Sequence, residues 1–112
     1  MSIPGERERW IESRGAQLWT AESGSGTAML MFNGGPGCND YLGPVARMLD
    51  DVCRVIRFEP RGCGRSSWDT KYDLDTLLED AEVIRRAYDV SRWIVAGHSA
   101  GPGFALAYAL RY

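Results

Sequence analysis

The sequence predicts an α/β protein whose sheet is mainly parallel, antiparallel at its start, and flanked by helices. Three observations carry this. Short apolar runs of strand length lie at 28–32, 54–59 and 93–96. A segment with the 3.6-residue period of an amphipathic helix separates the second run from the third. Glycine-rich loops follow the first run and the last, where such sheets bind ligands.

Taken in order, residues 7–12 and 17–21 alternate polar and apolar side chains, the pattern of half-buried antiparallel strands, with a turn at Gly15-Ala16. The Ser23-Gly24-Ser25-Gly26 cluster is a second turn. Residues 27–33 are a strand whose unbroken run Ala28-Met29-Leu30-Met31-Phe32 suits cover on both faces. Residues 41–49 read as a short helix capped by Asn39 or Asp40. Residues 54–59 form a strand through Val55, Ile56 and Phe58. Residues 73–88 are the clearest helix, with Leu74, Leu77, Leu78, Ala81, Ile84 and Tyr88 in one stripe. Glu79, Asp80, Glu82, Arg85 and Arg86 are expected mostly outside that stripe. A last strand at 93–96 precedes a helix at 104–112 rich in Ala, Leu and Tyr. The order β-β-β-α-β-α-β-α implies crossovers between parallel strands.

Composition narrows the function. Apolar residues are 45% and charged residues 25% of the 112, as in an ordinary globular protein, so 1–112 is read as one small domain with no room for two. A net charge of -2 gives no reason to invoke nucleic acid or an anionic membrane. Cys38, Cys53 and Cys63 lack CxxC spacing and are expected as reduced thiols. With a single histidine no metal site is expected. The charged N-terminus has no apolar core of a secretory signal, and no stretch is long enough to span a bilayer. The expected compartment is the cytoplasm.

Two loops carry chemistry. Gly97-His98-Ser99-Ala100-Gly101 lies between an apolar strand and a helix, the setting of a nucleophile elbow. Gly97 and Gly101 let strand and helix approach, and Ser99 Oγ projects above the sheet. The following helix turns its N-terminus towards the site, where its dipole favours developing negative charge, and Pro102 suits that first turn. Asn33-Gly34-Gly35-Pro36-Gly37 follows the earlier apolar strand. An oxyanion hole needs two aimed N–H donors, and Gly35 and Ala100 are the candidates.

These segments resemble the prolyl aminopeptidase branch of the α/β-hydrolases. Residues 33–37 are similar to that branch's H-G-G-P-G loop, and residues 58–66 to its D-x-R-G-x-G-x-S segment. The elbow at 97–101 completes the series in the family's order. The resemblance implies that 1–112 is the N-terminal half of an α/β-hydrolase domain, ending after the nucleophile-elbow helix, and a serine hydrolase cleaving ester or amide bonds through an acyl-enzyme at Ser99. It also implies a small-molecule or short-peptide substrate and no cofactor. Asn33 replaces the usual His, Glu59-Pro60 the usual Asp-Gln, and Ala100 a common Trp. Peptidase, carboxylesterase, lactonase and perhydrolase chemistry therefore all stay open. Ser99, where an Asp nucleophile would stand, argues against an epoxide hydrolase or a dehalogenase.

The family's triad continues with an acid and a His after later strands, and neither is identifiable here. His98 adjoins Ser99, so its ring should diverge from it; Lys71 lies in a polar loop. Arg61 is expected to be structural, and Cys38 and Cys63 bystanders. A catalytically incomplete fragment or a non-catalytic interaction module is the alternative. The strand at 92–96 is expected to expose an apolar edge, covered by self-association or by a complementary chain.

Overall fold

The computed structural model describes residues 5–35, 37–71 and 73–112. Strands β1 (Arg7–Ser13) and β2 (Ala16–Ser23) form an antiparallel hairpin with Trp10 opposite Trp19. Arg14 and Gly15 both take positive φ (46° and 88°), so the turn is Arg14-Gly15 and Ala16 already pairs with Ser13. A two-residue loop with that backbone matches the right-handed twist of the strands. After the hairpin come β3 (Ala28–Phe32), α1 (Gly43–Leu49), β4 (Arg54–Phe58), α2 (Leu74–Ala87), β5 (Ile94–Gly97) and α3 (Gly101–Arg111). The sheet order is β1-β2-β4-β3-β5, with β2 antiparallel to β4 and β3 parallel to both β4 and β5. The expected α/β class and antiparallel start are both present.

Burial explains the layering. Leu30, Phe32, Ile56 and Phe58 are fully enclosed and meet Leu78, Ala81 and Ile84 of α2 and Ala105 and Tyr108 of α3. On the opposite face Met31 and Val55 pack with Leu42, Ala46 and Cys53 beside α1. Both faces of β3 and β4 are therefore covered, which is why their sequences are nearly continuous apolar runs.

Three local expectations are corrected. The first helix starts at Gly43, not at 41, and its N-cap is Leu42 without a side-chain bond rather than Asn39 or Asp40. Asp40 is drawn instead to the buried Arg57, which also contacts Glu6, and Pro44 opens the helix without needing an N–H partner. Along α2, Asp80 and Glu82 are buried rather than outside the stripe. Each has partners that make burial tolerable: Glu82 accepts from Arg85 and from Tyr108 Oη (2.7 Å), and Asp80 binds Arg61 and Ser13. Arg85 holds the Glu82 carboxyl below its ordinary range, while burial and the Glu82 bond push the Tyr108 phenol up to about 12. Finally, α3 begins at Gly101 and not at 104, because Ala100 and Gly101 already carry the turn into the helix.

Glu59 is almost fully buried at the end of β4. It accepts from the Arg65 side chain (2.9 and 3.1 Å), the Arg65 N–H (2.6 Å) and the Asp40 N–H (2.9 Å). Arg65 in turn lies 3.4 Å over the Trp19 ring, so one guanidinium joins the loop after β4 to the hairpin. No helix among the described residues is long and apolar enough to cross a membrane.

Candidate active site

The site forms where two loops leave neighbouring parallel strands. In the β3–β5 register Phe32 stands opposite Gly97, so the loops after them start side by side, and the His98 N–H donates to the Phe32 carbonyl (3.2 Å). Beyond that point the chain reverses within four residues. The Gly101 N–H donates back to the His98 carbonyl (2.8 Å), and Ser99 at the apex has φ of 61°. A left-handed conformation costs a non-glycine residue about 1–2 kcal/mol, and such strain gathers at functional sites.

The flanking glycines are required by contact rather than by φ. A Cβ on Gly97 would lie 2.3 Å from the Gly101 carbonyl carbon, and one on Gly101 would lie 2.2 Å from the Phe32 oxygen. No side chain caps α3 at Ala100; the Gly101 amide is taken by the His98 carbonyl, and Pro102 has no N–H to satisfy. Ser99 is exposed.

The other loop is held by its own side chains. Asn33, buried, donates from Nδ2 to the Cys38 carbonyl (3.1 Å). The Gly34 N–H donates to Tyr41 Oη (2.7 Å), and that hydroxyl also pairs with His98 Nδ1 (2.8 Å), the two rings meeting edge to face. Gly34 has no room for a side chain: a Cβ would sit 2.4 Å from Tyr41 Oη and 3.0 Å from Ser99 Cβ. Its backbone is thus pressed against the elbow. Gly35 (φ 133°) and Gly37 (φ 86°) take conformations that favour glycine. Pro36 lies outside the described residues.

The two loops singled out in the sequence adjoin in the structure, and Tyr41, which the sequence pattern places at the start of a helix, links them. An aromatic a few residues past a glycine-rich loop is a weak signal. The Gly34 amide is committed to Tyr41, and no described residue accepts from the Gly35 amide. His98 engages Tyr41, and among the described residues nothing hydrogen-bonds Ser99 Oγ. Lys71 is exposed in its loop. Burial pushes the Cys63 thiol up, away from a reactive thiolate, and all three cysteines are free. Arg61 bonds Asp80, Asp69 and the Ser13 carbonyl, a structural set of partners.

The profile of the α/β-hydrolase fold matches residues 27–112. The chain belongs to that family. It is 37% identical over 94 residues to a proline iminopeptidase of Saccharolobus solfataricus, a match covering 80% of this chain and 30% of the relative. Among solved structures it superposes on a proline iminopeptidase-related protein from Thermus thermophilus (TM-score 0.83, 28% identity, 96% of this chain and 41% of that one). An epoxide hydrolase from Vigna radiata shares the fold (TM-score 0.85, 20% identity, 98% and 36%). The resemblance to the iminopeptidase branch is therefore borne out, and the chain spans about a third of the length of the curated relatives it matches.

The strain at the apex yields a first test. Ser99→Gly is expected to be more stable than Ser99→Ala by about 1 kcal/mol, since glycine relieves the left-handed strain and alanine keeps it. Urea unfolding of the two variants measures the difference. A lower midpoint for the glycine variant would show that the elbow is unstrained.

Proposed function

We propose that this chain carries the nucleophile and oxyanion hole of a serine hydrolase acting on ester or amide bonds. The observation that carries the reading is Ser99: exposed, held at positive φ between β5 and α3, and abutting the Gly34 backbone. Ser99 Oγ would attack the scissile carbonyl, passing its proton to a base. The amides of Gly35 and Ala100 would receive the negative charge on the carbonyl oxygen. Collapse releases the alcohol or amine with a proton, and water then frees the acid from the acyl-serine. The 37% identity to an iminopeptidase supports a prolyl aminopeptidase-like substrate, with an esterase-like one as the second reading.

The base is assigned outside these 112 residues. His98 is turned to Tyr41, and relatives carry about two thirds of their length beyond the matched region. The outer edge of β5 is where we place that further chain. Ile94 on this strand and Leu106 and Leu110 on α3 are exposed apolar residues beside it.

A fluorophosphonate tests the nucleophile without needing the natural substrate. Intact mass is expected to show one slowly formed phosphonyl adduct, absent in Ser99→Ala. Added imidazole, standing in for the missing base, is expected to speed it. Equal labelling of the parent and Ser99→Ala would remove Ser99 from the mechanism.

A further inference from the structure

Beside the oxyanion loop lies a cavity of about 370 Å³ that the acyl-transfer chemistry leaves unassigned. Its walls come from the ends of β3 and β4 and the first turns of α2 and α3: Phe32, Phe58, Leu74, Leu77 and Phe104. It reaches Asn33 and Gly34 on one loop and Ala100 on the other. Ala100, directly after the nucleophile, contributes only a methyl group, where a larger side chain would compete for the space.

Charge within it is already neutralised. Arg61 and Asp80 border the cavity, but Arg61 Nε and Nη2 both bond the Asp80 carboxylate at 2.8 Å. Arg61 also donates from Nη1 to Asp69 and from Nη2 to the Ser13 carbonyl. Asp73, at the rim, accepts the Thr76 N–H and caps α2. Lys71, an exposed residue, also lines the cavity, so the apolar surface is the part walled by Phe32, Phe58, Leu77 and Phe104. A charged group entering here would lose its hydration and meet aromatic walls, whereas an apolar one would shed water favourably.

We infer that this cavity is a specificity pocket for an uncharged apolar substituent, aliphatic or aromatic, of the ester or amide cleaved at Ser99. The inference rests on the serine hydrolase reading, which supplies the reacting carbonyl next to Ala100. Its volume lies at the lower end of the range for small-molecule sites, roughly 300–1,000 Å³. That accommodates a phenyl ring or a six-carbon chain. The preferred substrates would thus be esters or amides carrying such a group.

Binding can be read without turnover. The ¹⁵N-labelled chain is titrated with n-hexanol, and with glycerol as the polar counterpart. Saturable amide shifts are expected at Phe32, Leu77, Ala100 and Phe104 with hexanol and not with glycerol. Leu77→Trp fills the cavity and is expected to weaken hexanol binding by about tenfold or more. Leu74→Trp, at a half-exposed rim position, tests the same point should the first variant not fold. Shifts centred on the exposed Met48 or Leu110, or affinity unchanged by either tryptophan, would overturn the pocket. Failure of phosphonate labelling with hexanol binding intact would instead strike the nucleophile reading alone.

Discussion

Asp80→Ala is expected to destabilise the protein by about 3 kcal/mol, because it leaves the buried Arg61 guanidinium with only the partly exposed Asp69 as its carboxylate. Asp80 accepts two bonds from Arg61 (2.8 Å each) and one from Ser13 Oγ (2.6 Å), with only 1% of the residue exposed. Arg61 cannot follow its lost partner into water, since its side chain is 8% exposed and its Nη2 is also held by the Ser13 carbonyl. Asp69 still meets Arg61 Nη1 (3.1 Å), but it is partly exposed to solvent and reaches neither Nε nor Nη2, the two groups that lose their carboxylate. The pair joins α2, the loop after β4 and the β1–β2 hairpin, so its loss loosens the wall of the cavity as well. Chemical denaturation measures the effect. A double variant, Asp80→Leu with Arg61→Met, is expected to recover most of the stability, because both charges leave together. A loss below about 1 kcal/mol in Asp80→Ala would mean that water reaches Arg61 and the pair is not buried in solution.

The same pair marks the limit of what the sequence discloses. Arg61 in a glycine-rich turn was legible as a structural residue, since a guanidinium there has carbonyls and carboxylates to satisfy. Its partner was not, because Asp80 sits 19 residues on. A helical wheel could have placed Asp80 on the buried face, four residues before Ile84, but could not have named the cation that permits a carboxylate there. The strands were legible because apolar runs and turn residues are local signals. The two glycine-rich loops were legible because glycine and serine at fixed spacing report tight backbone geometry. What joins them depends on the β3–β5 register and on Tyr41 meeting His98, 57 residues along the chain, both long-range facts. The helix starts went astray for a related reason. Asp40 is a good cap in isolation, yet a buried arginine is a stronger partner.

Two glycines in α3 are expected to respond to the same substitution with opposite sign. Gly101→Ala should cost about 3 kcal/mol or more, because its Cβ would stand 2.2 Å from the Phe32 oxygen and 3.0 Å from the Phe32 carbonyl carbon. Those atoms are backbone in the central sheet, and the oxygen already accepts the His98 N–H, so nothing can swing aside. Relief requires α3 to move off β3, which would carry Ala100 and Ser99 away from Gly34. Gly103→Ala, two residues later in the same helix, meets nothing within 4 Å and should stabilise by about 0.5–1 kcal/mol through helix propensity. Because the chemistry of the two changes is identical, their difference isolates the contact. Melting curves of both variants, with phosphonate labelling of each, read it directly. Gly103→Ala is expected to label like the parent and Gly101→Ala to label more slowly. Equal stability of the two would mean that α3 does not seat against β3 at Gly101, and the elbow geometry built on that contact would fall with it.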